Sequence, residues 1–259
     1  MTDIPIIEFF DDEPLITPGE NYNEDLGVLE GQGVKTAIVT WLKDLAVLGE
    51  DFARSAVFFR DFAGEGVPMP SYIYKNTLVV FMCIGAPMAA SVTERLGFYG
   101  IKNIIAYGTA GCIDPDFDQN QAVIVTKAIR DEGTSYHYLA PSVFVETDTE
   151  IIKIIENVLR AKKLPAKRGI VWTTDGFYRE TKKRVAKRRS QGAVAVDMEC
   201  SAFAAAAIRC GIRFGQFLVF SDSLVGDSWG WLKSLDERQS QKAALLSVAL
   251  EMSKNLSCH

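Results

Sequence analysis

Short apolar runs alternate along the chain with longer stretches in which apolar positions recur at helical spacing. Seven runs are apolar almost throughout, which is typical of strands buried on both faces of a sheet. They predict strands at 36–41, 77–85, 102–111, 121–129, 168–175, 193–199 and 214–222. Amphipathic or Ala-rich stretches predict helices at 87–100, 149–164, 200–211 and 234–256. This alternation predicts an α/β fold with a mainly parallel core sheet.

The chain length of 259 residues accommodates one large α/β domain. Residues 1–35 are rich in Asp, Glu, Gly, Pro and Asn, and we interpret them as an irregular N-terminal arm. No internal repeat and no low-complexity tract divides the rest. We therefore interpret residues 1–259 as a single domain.

Charge and composition exclude several classes of protein. With 28 Lys+Arg against 33 Asp+Glu, the net charge of −5 argues against a nucleic-acid-binding protein. The sequence contains no run of about 18 apolar residues, so no membrane span is predicted. The acidic N-terminus does not resemble a signal peptide. The basic run at 179–189 is interpreted as a solvated helix face. Five scattered cysteines without CxxC spacing favour neither a disulfide framework nor a zinc site, so a cytoplasmic location is expected.

Glycine-containing turns follow two of the predicted strands. Gly85 precedes a helix start, and Gly108 and Gly111 bracket Thr109. Ligands of open α/β sheets bind at the carboxyl ends of strands, where glycine lets backbone N–H groups approach an anion. Tight turns explain the same residues equally well. Since neither G-x-G-x-x-G nor a Walker motif is present, dinucleotide or NTP binding is not supported.

Carboxylates follow two other apolar strands. Asp197 and Glu199 flank Met198, and Ser221 with Asp222 follows the run FLVF. The first pair could accept the hydroxyls of a sugar diol, or could simply begin a helix whose dipole favours acids. Asp222 could serve as a general acid, or could form a helix N-cap with its neighbouring serine.

Aromatic residues and a histidine complete the candidate chemistry. Phe177 and Tyr178 end another predicted strand and could stack on a planar base. His137 is the one histidine besides His259, and a single histidine is more often structural than catalytic. No Ser/His/Asp set and no metal-binding His pair accompanies it, so no metal is expected.

Five segments in order, GTAG, RDEGTSYHY, TTDGFYRE, VDMECSA and FSDS, resemble the purine nucleoside/uridine phosphorylase superfamily. The resemblance covers about residues 75–230. It implies a single α/β domain with a central, mixed, partly barrel-like β-sheet flanked by helices. It also implies a homo-oligomer, as a dimer, a trimer of dimers or a hexamer.

The resemblance implies cleavage of the bond between a sugar and a nucleobase, by phosphate or, in nucleosidase branches, by water. It implies no cofactor, with inorganic phosphate as co-substrate in phosphorolysis and a nucleoside as the small-molecule partner. The roles it implies are ribose binding by Met198 and Glu199, protonation of the purine at N7 by Asp222, base binding by Phe177, Tyr178 and Ser221, and contact with phosphate or water by Gly85, Gly108 and Thr109.

The chain departs from the family on the phosphate side. Ala106 stands where family phosphorylases often carry a phosphate-binding Arg, and the segment TPGENYN at 17–23 lacks the second one. Because bidentate Arg is a strong anion clamp, this loss weakens phosphate binding. Arg54, Arg60 or a neighbouring subunit could supply another cation, or water could be the nucleophile.

We interpret the chain as an enzyme that cleaves purine nucleosides, by phosphorolysis ahead of hydrolysis. A nucleosidase is the close alternative, because of Ala106. A non-catalytic nucleoside-binding or storage protein on the same fold is a second alternative, since fold does not guarantee function. A uridine phosphorylase is a third, and Asp222 argues against it because uridine-cleaving members generally lack that residue.

Overall fold

One mixed sheet flanked by helices organises the chain. The computed structural model describes residues 11–18, 27–42, 48, 50–62, 67–226 and 228–256. The strands are β1 Thr36–Thr40, β2 Val57–Asp61, β3 Pro70–Tyr74, β4 Thr77–Phe81, β5 Asn103–Cys112, β6 Ala122–Asp131, β7 Phe144–Glu146, β8 Ala166–Thr174, β9 Ala193–Asp197, β10 Arg213–Ser223 and β11 Gly230–Trp231. The helices are α1 Val28–Gly31, α2 Glu50–Ser55, α3 Ala86–Phe98, α4 Thr149–Ala161, α5 Lys182–Ser190, α6 Cys200–Cys210 and α7 Leu235–Leu256.

The sheet closes on itself over five strands. β10 pairs in parallel with β5 and antiparallel with β6, and the ring continues through β8 and β9 back to β5. The predicted partly barrel-like sheet is confirmed. The expectation of a mainly parallel core is also confirmed, because the β1–β4, β1–β5, β5–β10, β6–β8 and β8–β9 pairings are parallel, and among these strands the β10–β6 and β5–β9 pairings are the antiparallel ones. An apolar run identifies a buried strand but does not state the direction of its neighbour.

An open extension of the sheet runs from β5 through β1, β4 and β3 to β2. β1 and β4 are buried along their whole length, as their apolar runs predict. β2 and β3 were not predicted. β2 is an edge strand with mostly exposed or half-buried residues, so its sequence lacks the signal of a buried strand.

Helices cover both faces of the sheet. α3 and α6 pack on one face, and α4 and α7 pack on the other, so the strands between them are apolar throughout. α5 contains most of the basic run at 179–189, and Val185 is its buried residue. No helix in the described part of the chain combines the length and apolar character needed to cross a membrane.

The N-terminal arm contains more regular structure than expected. Residues 28–31 form the helical turn α1, which buries Leu29 against the core. Its N-cap Gly27 has a positive φ of 89°. Residues 11–17 form neither a helix nor a strand. Most of the segment TPGENYN, at 19–23, lies outside the described residues.

Candidate functional site

A cavity of ≈ 930 Å³ opens at the carboxyl ends of β1, β4, β5, β9 and β10. This is the location expected for a ligand of an α/β sheet. Six of the sequence-predicted site residues line it: Thr109, Phe177, Met198, Glu199, Ser221 and Asp222. The structure therefore brings together side chains from four parts of the chain, between residues 109 and 222.

Glu199 stands at the start of α6 with its carboxyl group turned away from the helix. Its Oε1 accepts a hydrogen bond of 2.7 Å from the backbone N–H of Gly85. Gly85 is the N-cap residue of α3 and is distant from Glu199 in the sequence. Gly85 has φ 126°, a conformation that L side chains rarely adopt and that aims this N–H at the carboxylate. Gly85 does not line the cavity itself, so it acts on the cavity through Glu199.

Asp197 stabilises the start of α6, which is one of the two roles that the sequence left open for the pair Asp197 and Glu199. Its Oδ2 accepts a hydrogen bond of 2.9 Å from the backbone N–H of Cys200, and its Oδ1 accepts one of 2.7 Å from Thr173 Oγ1. Gln216 Nε2 lies 3.5 Å from the same Oδ2. The helix-start interpretation thus holds for Asp197, whereas Glu199 is turned into the cavity.

Burial raises the pKa of Glu199, and the charge of Asp197 raises it further. Burial also raises the pKa of Asp197, although its hydrogen-bond donors oppose that shift. Of the two, Asp197 has more donors and is the better placed to stay ionised. A ligand that offers hydroxyl donors or positive charge to Glu199 would favour its ionised form as well.

Asp222 is held near the end of β10 and is 8 % exposed. Its Oδ1 accepts a hydrogen bond of 2.6 Å from Ser221 Oγ, and its Oδ2 accepts one of 2.9 Å from Trp229 Nε1. The N-cap interpretation of these two residues is wrong, because both lie within β10 and the next helix starts at Leu235. The carboxyl group is instead fixed on the cavity wall.

The two aromatic candidates differ in position. Both lie in a 3₁₀ turn at Phe177–Arg179, with their rings edge to face at 5.1 Å. Phe177 lines the cavity, whereas Tyr178 is 94 % exposed and does not. Within this chain the predicted base contact of Tyr178 has no structural support.

On the side assigned to phosphate or water, Gly108, Thr109 and Gly111 lie within β5 and not in the turn that the sequence predicted, and an aromatic ring packs against this strand. The ring of Trp41 lies so close to Gly108 that a Cβ there would stand 2.9 Å from Trp41 Cε3. Gly108 does not line the cavity, whereas the neighbouring Thr109 does. Ala106 is completely buried within β5 and offers no polar group.

The proposed replacement arginines lie elsewhere. Arg54 is exposed and pairs with Glu50, and Arg60 packs over the ring of Tyr99. Neither lines the cavity. Lys242 of α7 does, and its Nζ donates a hydrogen bond of 2.8 Å to the carbonyl oxygen of Trp41.

Sequence reasoning missed several lining residues, chiefly Glu180, Trp231, Arg238 and Lys242. Glu180 follows Phe177 closely in the segment TTDGFYRE, so its neighbours gave a signal. Burial and the charge of Asp222 raise its pKa to about 7. The three residues at 231–242 follow no recognisable pattern. The pairing of β11 with β10 brings Trp231 to the cavity, and the packing of α7 brings Arg238 and Lys242.

The segment RDEGTSYHY has a structural role in the described chain. Arg130 donates hydrogen bonds to Ser135 Oγ and to the carbonyl oxygens of Ser135, Leu139 and Ala140. Glu132 accepts from the backbone N–H of Ser135 and from the hydroxyl of Ser201 on α6. His137 is exposed and does not line the cavity.

Comparison with known proteins identifies the family to which this fold belongs. The family model of the phosphorylase superfamily matches residues 63–251. An uncharacterized protein of Acanthamoeba polyphaga mimivirus is 26 % identical over 92 % of this chain and 94 % of its own. A DeoD-type purine nucleoside phosphorylase of Brevibacillus brevis is 28 % identical over 79 % of this chain and 86 % of its own.

Two solved structures have the same fold. The purine nucleoside phosphorylase of Toxoplasma gondii, in complex with immucillin-H, superimposes with a TM-score of 0.71 at 19 % identity. It covers 88 % of this chain and 93 % of its own. The AMP nucleosidase of Bacteroides thetaiotaomicron gives a TM-score of 0.67 at 20 % identity, over 87 % and 91 % of the two chains.

The chain belongs to the phosphorylase superfamily, whose model matches most of its length. Its relatives include purine nucleoside phosphorylases, and its structural neighbours include a phosphorylase and a nucleosidase. The class of protein is thus an enzyme superfamily that includes nucleoside phosphorylases.

Proposed function

We propose that the chain cleaves the N-glycosidic bond of a purine nucleoside to release the free base. The observation that supports this most is the presence of Glu199 and Asp222 on the wall of one cavity. Glu199 would accept the hydroxyls of the pentose, beside Met198. Asp222 would face N7 of the purine, with Phe177 and Ser221 lining the base.

The chemistry requires help at both the sugar and the base. The bond from C1′ to N9 breaks with its electron pair going to the base, and a proton delivered by Asp222 to N7 removes the charge of the leaving purine. General acid help of this kind typically contributes about 10²–10⁴ in rate. As positive charge develops on the sugar, the carboxyl group of Glu199 in its ionised form stabilises it.

Phosphate is our first choice for the group that attacks C1′, giving a pentose 1-phosphate. Lys242 supports this choice because its ammonium group lies at the cavity, next to Trp41, whose ring packs against Gly108 of β5. A single ammonium holds phosphate less firmly than a bidentate arginine does. A high KM for phosphate is therefore expected.

Water is the second candidate for the attacking group. Ala106 favours it, because its buried methyl group offers no cation at the position where family phosphorylases often carry a phosphate-binding arginine. A nucleoside-binding protein without catalysis, and a uridine phosphorylase, are weaker alternatives. Homo-oligomeric assembly and a cytoplasmic location stay predictions.

The test is release of free base from inosine, adenosine, guanosine, uridine and methylthioadenosine, each with and without inorganic phosphate. Release that requires phosphate supports phosphorolysis, and equal release in both conditions supports hydrolysis. No release from any nucleoside would overturn the proposal. If phosphate is the second reactant, Lys242→Met should raise its KM about tenfold or more, as expected for the loss of a charge-assisted contact.

A matched control for that variant lies on the same helix. Lys254 of α7 is exposed, pairs with Glu251 and does not line the cavity. Lys254→Met should leave the KM for phosphate unchanged. An equal rise in both variants would contradict a role for Lys242.

A further inference from the structure

Glu180 is a carboxyl group on the cavity wall to which the proposed reaction assigns no task. It follows the 3₁₀ turn that contains Phe177, and it is half-buried. Its carboxyl group makes no hydrogen bond or ion pair with any residue that the structure describes. A carboxyl group so placed is poorly satisfied by the protein and well placed to bind a polar group of a ligand.

The surroundings of Glu180 point to the base rather than to the sugar. The rings of Phe177 and Trp231 line the same cavity, and Trp231 pairs with Asp222 across β11 and β10. Besides Glu180, the charged groups at this cavity are Asp197 at the end of β9, Glu199 at the N-cap of α6, Asp222 of β10, and Arg238 and Lys242 of α7. Of these, the charge of Asp222 is the one that raises the pKa of Glu180.

The inference rests on the function proposed above, in which the position of Asp222 orients the purine. If Asp222 faces N7, the next polar group along that edge of the purine is the substituent at C6. A second carboxyl group on the same cavity wall, within reach of the charge of Asp222, would there meet an amino group in adenine and a carbonyl oxygen in hypoxanthine or guanine. We propose that Glu180 is a specificity-determining residue that selects the purine by its C6 substituent and, when ionised, favours a 6-amino group.

The preference follows from the donors and acceptors of a carboxyl group. An ionised carboxylate only accepts hydrogen bonds, so it binds the N–H of a 6-amino group and repels O6. A protonated carboxyl both donates and accepts, so it accommodates either substituent. Because burial and Asp222 place the pKa of Glu180 at about 7, the preference for 6-aminopurines should appear as pH rises through 7.

The experiment measures kcat/KM for adenosine and inosine from pH 6 to pH 8, with phosphate fixed, for the unaltered chain and for Glu180→Gln. Groups that act on both substrates cancel in the adenosine-to-inosine ratio. That ratio should rise about tenfold with pH in the unaltered chain, as for one charge-assisted hydrogen bond. It should stay flat in Glu180→Gln, because the amide does not ionise in this range.

Purine riboside isolates the amino group, because it shares the unprotonated N1 of adenosine and has only hydrogen at C6. The adenosine-to-purine-riboside ratio should rise with pH in the same way. Glu146→Gln, at an exposed position of β7, is the matched control and should keep the dependence of the unaltered chain.

A flat or falling ratio in the unaltered chain, or a rising one in Glu180→Gln, overturns the inference while leaving the proposed function intact. Absence of base release from all three nucleosides overturns the proposed function first. The two failures are thus distinguishable in one set of assays.

Discussion

Two pairs of carboxyl groups line the same cavity, and the protein satisfies them to different degrees. Asp197 and Glu199 lie two residues apart at the β9–α6 junction and accept hydrogen bonds from Thr173, from Gln216 and from the backbone. Glu180 and Asp222 come from separate segments of the chain. Only Asp222 of that second pair has hydrogen-bond donors among the described residues.

The difference separates a fixed site from a responsive one. Asp197 is held by the core of the fold and aligns the start of α6, so Glu199 is presented in one orientation whether or not a ligand is bound. Glu180 lacks such partners, so its protonation depends on what enters the cavity and on pH. A site built from both pairs can hold a constant sugar rigidly and still distinguish between bases.

The largest effect on catalysis is expected from a change in the second pair of carboxyl groups, at Asp222. Asp222→Asn keeps the size of the side chain and an acceptor for Ser221 Oγ but removes the transferable proton. We expect kcat to fall by about 10²–10⁴, with a much smaller change in the affinity for the nucleoside. Steady-state kinetics of base release measure both quantities. Asp116→Asn, at an exposed position, is the control, and an unchanged kcat in Asp222→Asn would remove this residue from the mechanism.

A smaller effect is expected for the first pair. Glu199→Gln retains an oxygen for the N–H of Gly85 but loses the negative charge that would accept the sugar hydroxyls. Since hydrogen bonds to charged groups contribute about 1.5–3 kcal/mol, kcat/KM should fall roughly 10–10²-fold. The 2′,3′-dideoxynucleoside, which lacks both hydroxyls, should show little further loss in this variant. An undiminished loss would mean that Glu199 does not contact the sugar hydroxyls.

The smallest effect concerns the backbone that orients Glu199. Gly85→Ala forces an L side chain into φ 126°, although the nearest atom to its Cβ, Pro87 Cδ, is 3.9 Å away. The cost is therefore conformational and does not come from steric crowding, and the free energy of unfolding should fall by roughly 1–3 kcal/mol. Denaturant unfolding measures it. Gly31→Ala, where φ is not positive and no atom lies within 4 Å, should show no comparable loss.

The buried elements of the fold were predictable from sequence because their apolar runs are uninterrupted. β1, β4, β5, β6, β8, β9 and β10 lie within one to four residues of their predicted bounds. β2, β7 and β11 are short or exposed and lack that signal. The alternation of strands and helices also predicted the mainly parallel pairing. The antiparallel β10–β6 and β5–β9 pairings were not readable, because they depend on contacts between segments far apart in the sequence.

The candidate site was predictable where polar residues follow a buried strand. Glu199, Ser221 and Asp222 were found in this way, and all three line the cavity. Lys242 and Arg238 were not found, because nothing in the sequence of α7 shows which of its faces covers the cavity. The aromatic pair Phe177 and Tyr178 was predicted as a unit, and only half of that prediction places a residue at the cavity. Adjacent residues in a 3₁₀ turn point in different directions, and of these two Phe177 lines the cavity.

The closure of the barrel by β10 has a consequence for synthesis on the ribosome. β5 and β6 each pair with β10, which follows them by about a hundred residues. Until β10 emerges, both strands have free edges, and such edges invite pairing with other chains. A nascent chain that pauses before residue 213 is therefore the form most exposed to aggregation, and the one that would depend most on chaperones.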